Sequence, residues 1–297
     1  MSKNIQKCGY VSIIGRPNVG KSTLLNKLIG QKISITSRKP QTTRHSILGI
    51  ATHQDTQIIY VDTPGIHDNY KKAINRYMNK SAINATLGVD IIIFMIEGLV
   101  WNELDELVLQ KLQQQEIPVI LVVNKVDKIK RKDILLPYIN ELALKYNFEQ
   151  IIPLSAKTSD NIDKLENVLQ NYLPEHDFIF DASQITDRPM RFIASEIVRE
   201  KIFRLCGQEL PYSATVEIEK FKLEENIYHI AALILVEKES HKRMIIGNKG
   251  EKLKEIGRSA RIDLEQQLDN KVFLECWVKV KAGWADKNSS LINLGYD

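Results

Sequence analysis

The stretch that decides the fold is Gly15-Arg16-Pro17-Asn18-Val19-Gly20-Lys21-Ser22, which follows the pattern G-x-x-x-x-G-K-S of a phosphate-binding loop. Gly15 and Gly20 let the backbone curl, so that several N–H groups point at one phosphate chain. Lys21 places a positive charge near the β- and γ-phosphates, and the Ser22 hydroxyl is a ligand for Mg²⁺. Residues 10–14 read as a buried strand entering the loop, and residues 23–28 as a helix leaving it, so Thr23 is counted with the site. A chance match to a glycine-containing turn is disfavoured by this strand–loop–helix context.

The composition indicates a two-domain protein without a membrane span. The chain has 297 residues, a net charge of +4 and three scattered cysteines, which suit a reduced cytoplasmic protein. The N-terminus lacks an apolar signal core, and the apolar run at 91–96 is too short to cross a bilayer. We therefore expect a soluble protein, with peripheral membrane contact left open.

Two further segments suit a metal and a γ-phosphate. Residues 31–44 form a polar stretch without periodicity, and in phosphate-loop NTPases this region carries a threonine that ligates Mg²⁺. Thr43 is the first choice and Thr42 the second. Asp62-Thr63-Pro64-Gly65 ends an apolar strand, where Asp62 holds the metal's water shell and the Gly65 N–H approaches the γ-phosphate. The strands at 47–50 and 58–61, joined by a short turn, are expected to pair antiparallel.

A later loop indicates guanine rather than adenine. Asn124-Lys125-Val126-Asp127 follows a buried strand at 119–123, and Asp127 accepts hydrogen bonds from the two donors that guanine presents and adenine lacks. A buried, unpaired carboxylate would cost about 1–3 kcal/mol or more. Asn124 braces the loop and the Lys125 stem lies over the purine. Ser155-Ala156-Lys157 would bring the Ala156 N–H to the guanine carbonyl oxygen.

These segments together resemble the five signatures of the translation-factor-type GTPases. Helical patterns at 104–112, 133–146 and 162–172 alternate with the strands and predict an α/β layered domain. The wording GRPNVGKS, QTTRH, DTPG and NKVD resembles the Era family. The resemblance implies an N-terminal P-loop GTPase domain of three layers with a mostly parallel sheet, and GTP or GDP with Mg²⁺ as ligands.

The residues around the γ-phosphate predict slow hydrolysis. Ile66 stands where Ras-like GTPases have a water-orienting glutamine, and an apolar side chain orients no water. No arginine finger is identifiable, so Mg²⁺, Lys21 and backbone amides, with Thr43 and Gly65, are expected to supply the catalysis. Asn18 has two readings that stay open: it binds a potassium ion beside the phosphates, as in related GTPases, or it is tolerated for turn geometry.

The second half predicts an RNA-binding module. Helix 191–205 and strands 214–221, 228–236 and 274–280 surround Met244-Ile245-Ile246-Gly247-Asn248-Lys249-Gly250, which has the G-x-x-G wording of a KH domain. From Lys238 to Arg261 there are eight basic residues against three acidic ones, which favours phosphate contact over a solvated helix face. The expected RNA-contacting residues are Ile246, Gly247, Asn248, Lys249, Gly250, Lys252 and Lys254.

The tail Trp277-Val278-Lys279-Val280-Lys281-Ala282-Gly283-Trp284 extends the resemblance to the Era family over the whole chain. Trp277 is expected in the core, and Trp284 over the sheet edge or the RNA. The resemblance implies a smaller C-terminal α+β KH domain of type 2 and binding to 16S rRNA near its 3′ end. It also implies maturation of the 30S ribosomal subunit and peripheral contact with the inner membrane. We expect a monomer.

The predicted organisation is a GTPase domain at 1–174, a linker at 175–190 and a KH domain at 191–297. The favoured function is a switch in which the GTP state controls access of RNA to the Gly247–Gly250 loop. Two alternatives are a constitutive RNA-binding module whose nucleotide supports folding, and an RNA-modifying or metabolic enzyme that uses GTP. No second catalytic constellation supports the latter.

Overall fold

The structure is a computed structural model that describes residues 6–37, 39, 42–65, 73–207 and 210–286. These residues divide into two compact units. The first comprises residues 6–34, 43–65 and 78–187, and the second comprises the described residues of 35–42, 73–77 and 188–286. The predicted domain ranges 1–174, 175–190 and 191–297 stay a prediction. They differ from the observed division at residues 35–42, which group with the second unit. Within the described ranges, no helix is long and apolar enough to cross a membrane.

The first unit is built on a six-stranded sheet in the order β2-β3-β1-β4-β5-β6. Its strands are β1 (Lys7–Ile14), β2 (Ile47–His53), β3 (Thr56–Asp62), β4 (Ile91–Glu97), β5 (Val119–Asn124) and β6 (Gln150–Pro153). Neighbouring strands are parallel except for β2 and β3, which pair antiparallel as predicted. The central strands β4 and β5 are apolar almost throughout because both faces of a mostly parallel sheet are covered.

Among the described residues, the α-helices between and after these strands are α1 (Lys21–Ile29), α2 (Ala73–Asn84), α3 (Glu103–Leu112), α4 (Leu135–Ala143) and α5 (Ile162–Leu169). The first residues of α2, 73–77, group with the second unit. Helix α1 packs on β2 and β3, whereas α3 and α4 join β4 and β5 in one hydrophobic cluster. The sheet order brings the carboxyl ends of β1, β3, β4 and β5 to one edge. The phosphate loop, Asp62 and Asn124 all follow those strand ends. The α/β prediction for this half is confirmed.

The second unit contains a three-stranded sheet in the order β7-β8-β9. Its elements are α6 (Met190–Leu205), β7 (Ala214–Glu224), β8 (Ile227–Val236), α7 (Glu239–Ile246), α8 (Glu251–Leu268) and β9 (Lys271–Val280). Strands β7 and β8 pair antiparallel, and β8 and β9 pair parallel. Helices α6 and α8 bury Ile197, Ile256 and Leu264 in the core of this unit. The α+β prediction for the second half is confirmed.

Several elements differ from the sequence prediction. Residues 244–246 are the last residues of α7, a helix that the predicted elements of this half, one helix and three strands, did not include. The prediction that Trp277 lies in the core is wrong: its exposed fraction is 37%. Trp284 is fully buried, and its indole Nε1 donates to the Ser213 carbonyl at 3.1 Å. Side chains alternate between the two faces of β9. Val272 and Val278 face the core, and Trp277 therefore faces outward.

Candidate nucleotide and nucleic-acid sites

The phosphate loop is closed on itself and on its neighbours. Lys21 Nζ donates to the carbonyls of Gly15 (3.0 Å) and Arg16 (3.1 Å). Burial lowers the Lys21 pKa to about 8, while the charge of Asp62 opposes that shift. Gly20 has a φ of 110°, and a Cβ there would lie 2.3 Å from Asn124 Nδ2, so only glycine fits. Lys21 is thus a buried ammonium held at the mouth of the loop, where a phosphate oxygen is its natural acceptor.

Oxygen-bearing side chains of Ser22, Ser34, Thr43 and Asp62 meet at the loop. Ser22 Oγ lies 2.7 Å from Thr43 Oγ1 and donates to Asp62 Oδ2 at 2.9 Å. Asp62 Oδ2 also accepts from Ser34 Oγ at 2.9 Å, whereas the buried Oδ1 has no hydrogen-bond partner among the described residues. Burial raises the Asp62 pKa, and Lys21 and the two serines oppose that shift. Hard oxygen ligands with one unsatisfied carboxylate oxygen fit Mg²⁺.

The two candidate threonines are separated by their contacts. Thr42 Oγ1 donates to the Lys39 carbonyl at 2.7 Å and to Ser37 Oγ at 3.1 Å, so its hydroxyl is engaged within its own segment. Thr43 is the one whose hydroxyl reaches Ser22. The start of the same segment is held by Asn26, whose Oδ1 accepts from the Ser34 N–H at 2.9 Å.

Asn124 joins the phosphate loop to the base-reading loops. Its Nδ2 donates to the Val19 carbonyl at 2.7 Å. Its Oδ1 accepts from the backbone N–H groups of Lys125 (2.7 Å) and Ala156 (3.0 Å). The Ala156 N–H, predicted to reach the guanine carbonyl, therefore has a protein acceptor in this structure. One side chain with an exposed fraction of 2% connects three motifs that are far apart in sequence.

The Asp127 carboxylate, which the sequence predicts to read the guanine base, is also oriented by the protein. Ser155 Oγ donates to Asp127 Oδ1 at 2.7 Å, and this hydrogen bond fixes the orientation of the carboxylate. Asp127 is exposed, so the penalty for leaving it unpaired applies only when a base covers it. The Val126 N–H donates to the Leu154 carbonyl at 3.3 Å. Lys157 is exposed.

The loop after β3 is fixed by close contacts. Thr63 Oγ1 donates to the Ile13 carbonyl at 2.9 Å, which ties the Thr63 side chain to β1. A Cβ at Gly65 would lie 2.8 Å from Pro17, so Gly65 and the phosphate loop touch through backbone. Pro64 lies between Thr63 and Gly65 in the sequence. Ile66 lies outside the described residues, so the prediction made for it stays a prediction.

Sequence reasoning missed two carboxylates that position basic side chains, Arg16 in the phosphate loop and Lys125 in the loop after β5. Glu97 ends β4 and pairs with Lys125 Nζ at 2.9 Å, and Asp105 accepts from Arg16 Nε at 3.0 Å. Lys125 Nζ also donates to the Asn18 carbonyl at 2.6 Å. Asn18 has a φ of 66°, a conformation that asparagine tolerates, so its backbone has a structural reason for this residue. Glu97 lies opposite Asn124 in the register of β4 and β5, a pairing that the sequence pattern does not reveal.

The G-x-x-G loop lies between α7 and α8 and has an unusual backbone. Gly247, Lys249 and Gly250 have φ angles of 71°, 47° and 82°. A Cβ at Gly247 would lie 2.7 Å from Lys252 Cβ, so the loop turns tightly onto the first residues of α8. Asn248 and Lys249 form the tip between the glycines, and Ile246 is the last residue of α7.

Beside this loop lies a groove of about 420 Å³ that the sequence prediction covered only in part. It is lined by Gly250, Leu253, Lys254, Gly257, Arg258, Arg261, Leu274 and Cys276. Three cations edge an apolar floor in this set, which suits a nucleobase with phosphates along its rim. Burial raises the Cys276 pKa to about 12, so this thiol is a neutral part of that floor. The helical spacing of Lys254, Arg258 and Arg261 was the missed signal.

Comparison with known proteins identifies the two halves. The family model for a 50S ribosome-binding GTPase matches residues 10–125, and a KH-domain model matches residues 209–285. A "GTPase Era" of Histophilus somni (strain 129Pt) is 56% identical over 297 residues, which cover 100% of this chain and 99% of the relative. A "GTPase Era" of Marinobacter nauticus is 54% identical over 97% of this chain and 95% of its own.

Two solved structures match along nearly the whole chain. A tyrosine-to-alanine variant of Era from Aquifex aeolicus, bound to GDP and AlF₄⁻, has a TM-score of 0.95 at 41% identity and covers 98% of this chain and 99% of its own. Era in complex with MgGDPNP and nucleotides 1506–1542 of 16S ribosomal RNA has a TM-score of 0.94 at 42% identity, with the same coverage.

Fold, site and matches define the class of protein as a P-loop GTPase whose G domain is followed by a KH domain. Within that class the identity over nearly the full length is decisive. The chain belongs to the GTPase Era family.

Proposed function

We propose that this GTPase works as a slowly hydrolysing GTP switch that binds 16S rRNA near its 3′ end and assists maturation of the 30S subunit. The observation that carries the proposal is the similarity, over 98% of the chain, to an Era structure that holds both MgGDPNP and 16S rRNA nucleotides. The two ligands of that relative correspond in kind to the two sites built here, a phosphate and guanine site and a basic groove.

The proposed nucleotide contacts are those expected from the sequence. They comprise Gly15, Arg16, Pro17, Asn18, Val19, Gly20, Lys21, Ser22, Thr23, Asp62, Thr63, Pro64, Gly65, Ile66, Asn124, Lys125, Val126, Asp127, Ser155, Ala156 and Lys157. Replacing Asp127 with Asn tests the base-reading part, because the Asn amide N–H would face the exocyclic amine of guanine, donor against donor, whereas it can donate to the C2 carbonyl of xanthine. Retained guanine preference would remove Asp127 from its role.

Ser22, Thr43 and Asp62 are the proposed holders of Mg²⁺, which neutralises phosphate charge when bound. Support comes from the shared hydrogen bonds of these side chains and from Asp62 Oδ1, which has no partner within the described part of the chain. Lys21 and the loop amides then hold the β- and γ-phosphates, and the Gly65 N–H is aligned beside them by its contact with Pro17.

We also propose a potassium ion at Asn18 as a partial substitute for an arginine finger. Asn18 is exposed at the loop, and its backbone carbonyl accepts a hydrogen bond from Lys125 Nζ. Hydrolysis is therefore measured in potassium and in sodium at equal ionic strength, for the natural protein and for Asn18→Ala. Faster turnover in potassium that disappears in the variant supports the ion, and equal rates in both salts leave only the turn-geometry role.

The proposed RNA contacts are Ile246, Gly247, Asn248, Lys249, Gly250, Lys252 and Lys254, extended by the groove residues Gly257, Arg258 and Arg261. Introducing Asp at Asn248 or Lys249 should weaken RNA binding while GTP affinity stays, because the added charge repels phosphate. Unchanged RNA affinity would move the site elsewhere. Crosslinking followed by sequencing of the bound RNA identifies the ligand directly.

The switch differs from its main alternative in one measurable quantity. RNA affinity is compared in the presence of a GTP analogue, of GDP and of no nucleotide. A switch requires differential affinity between states. Identical affinities would favour a constitutive RNA-binding module in which the nucleotide is structural.

For its location we propose a cytoplasmic monomer with peripheral contact to the inner membrane. The support is the family resemblance together with the absence, in the described ranges, of a helix able to span a membrane. Cell fractionation and the mass of the purified protein in solution test this. Recovery of the protein solely with a membrane fraction that salt does not release would contradict it.

A further inference from the structure

The carboxylate of Glu97 lies between the phosphate loop and the loop that follows β5, and both loops belong to the first unit. Glu97 is the last residue of β4 and lies opposite Asn124, the last residue of β5. The contact between the two chain segments continues one residue further, because the Gly98 N–H donates to the Asn124 carbonyl at 2.7 Å. Glu97 is therefore held beside the start of the loop that is proposed to bind the base.

Among the described residues, three cations approach this carboxylate. Lys125 Nζ lies 2.9 Å from Oε2, Lys128 Nζ lies 3.3 Å from Oε1, and Arg16 Nη1 lies 3.9 Å from Oε2. Lys125 and Lys128 lie on one side of a 3₁₀ turn, because the Lys128 N–H donates to the Lys125 carbonyl at 3.0 Å. Burial alone would raise the pKa of Glu97, but Lys125 and Lys128 outweigh it and the pKa is lowered. The carboxylate is therefore charged at neutral pH.

The Lys125 ammonium has a second acceptor, which lies on the phosphate loop. Lys125 Nζ also donates to the Asn18 carbonyl at 2.6 Å, so one ammonium joins Glu97 to that loop. The aliphatic stem of Lys125 consequently runs from the backbone after β5 to the phosphate loop. The Lys125 backbone has a φ of 65°, which is unfavourable for a residue with a Cβ. The contacts of its N–H with Asn124 and of its ammonium with Glu97 hold it there.

From these contacts we infer that Glu97 is a positioning residue for guanine-nucleotide binding, which holds the Lys125 stem as a platform for the face of the base. The inference rests on the proposed function, because it assigns Glu97 to the proposed nucleotide site. It divides the recognition of the base into two parts. Asp127 reads the edge of the base, whereas the Lys125 stem covers its face by apolar contact and depends on Glu97 for its position.

The same geometry predicts which step Glu97 affects. The proposed metal ligands Ser22, Thr43 and Asp62 bind one another and not Glu97. Loss of the Glu97 carboxylate should therefore weaken the binding of GDP and of a GTP analogue equally. The rate at which bound GTP is hydrolysed in a single turnover should stay within about twofold.

The size of the effect follows from the partial burial of the pair. The exposed fractions of the two side chains are 22% for Lys125 and 27% for Glu97. A partly buried, charge-assisted hydrogen bond is stronger than a fully exposed ion pair. We expect the dissociation constant for GDP to rise about tenfold in Glu97→Ala, which corresponds to about 1.4 kcal/mol.

A double-mutant cycle tests whether Glu97 acts through Lys125. Calorimetry with GDP is carried out on the full chain for the natural protein, Glu97→Ala, Lys125→Met and the double variant. Lys125→Met keeps an apolar stem but lacks the ammonium. Glu97→Ala should weaken binding about tenfold in the natural background and less than about twofold in the Lys125→Met background. Equal losses in the two backgrounds would overturn the inference.

The matched control is Glu149→Ala. Glu149 also accepts a side-chain hydrogen bond, from the Tyr172 hydroxyl at 3.0 Å, but it precedes β6 and so lies at the amino ends of the parallel strands. The nucleotide loops follow the carboxyl ends of those strands. GDP affinity in this control should stay within about twofold of the natural value.

Inosine diphosphate separates the face of the base from its edge. It keeps the purine face, the N1–H and the carbonyl of GDP, but it lacks the exocyclic amine. The ratio of the affinities for GDP and inosine diphosphate should be the same in Glu97→Ala as in the natural protein. A ratio that falls towards one in Glu97→Ala would show that Glu97 acts through Asp127, and the inference would be wrong.

Two further results would overturn the inference. One is an unchanged GDP affinity in Glu97→Ala, and the other is single-turnover hydrolysis that falls in parallel with the affinity, which would indicate a general disturbance of the phosphate loop. If Glu97→Ala does not fold, Glu97→Gln decides in the same two backgrounds, because it keeps the side-chain volume and removes the charge. A loss of about threefold or more that is absent in the Lys125→Met background supports the inference, and any smaller or background-independent loss refutes it. Failure of the natural protein to bind GDP would instead refute the proposed function.

Discussion

Removing the Asn124 side chain should destabilise the first unit far more than an ordinary loop substitution would. Asn124→Ala deletes three hydrogen bonds, to the Val19 carbonyl and from the N–H groups of Lys125 and Ala156. Each is worth about 1 kcal/mol net, and the partners at Val19 and Ala156 stay buried without a replacement. We therefore expect the free energy of unfolding of the first unit to fall by about 3 kcal/mol.

The assay is native-state hydrogen exchange of the β5 amides, which report opening of the first unit independently of the second. Asn102→Ala is the comparison. Asn102 caps α3 by accepting from Leu104 and Asp105, and loss of an N-cap costs about 1 kcal/mol. Asn124→Asp keeps the acceptor for two N–H groups but sets a carboxylate against the Val19 carbonyl, so it should fall between the alanine variant and the natural protein. A loss in Asn124→Ala no larger than in Asn102→Ala would refute the reasoning.

Three further outcomes follow from burial and charge. Trp284→Phe should lower the free energy of unfolding of the second unit by about 1–3 kcal/mol, because the Ser213 carbonyl loses its donor. Trp277→Phe should change that free energy by less than about 0.5 kcal/mol. Denaturant unfolding of the two variants checks this prediction, and equal losses would contradict it. Because burial raises the Cys276 pKa to about 12, its thiolate is scarce at pH 8, and iodoacetamide should alkylate it slowly in the folded protein, faster as the pH rises towards that pKa, and readily in urea; mass spectrometry that finds equal rates with and without urea would contradict this. Gly20→Ala should abolish nucleotide binding, because its Cβ would lie 2.3 Å from Asn124 Nδ2 at a φ of 110°; calorimetry with GDP at natural affinity would contradict it.

Motifs whose chemistry is local were predictable from the sequence. The phosphate loop, Asp62 and the loop at Asn124 each follow an apolar strand, and parallel strands that share an edge bring such loops together. The sequence ranked Thr43 before Thr42 but could not separate them, because adjacent threonines differ only in the direction of the backbone. That direction is set by the contacts of Thr42 with Lys39 and Arg199.

Residues that act through another residue gave little signal. Glu97 and Asp105 hold Lys125 and Arg16, but each reads in the sequence as an ordinary acidic residue at an element end. Their role depends on which strands are neighbours, here β4 beside β5, and strand order does not follow from periodicity. A sequence method would have to predict the sheet order first.

The two tryptophans show why motif wording is a poor guide to burial. Both belong to one tail that resembles the Era family, and Trp277 was the one expected in the core. Alternation on β9 assigns alternate residues to opposite faces, and the burial of Val278 then requires that Trp277 face away from the helices. Trp284 follows the strand, where no alternation applies, and its indole N–H has a buried carbonyl as acceptor. The period of an element therefore decides burial before residue type does, and the same rule assigns Cys276 to the groove floor on the face opposite Trp277.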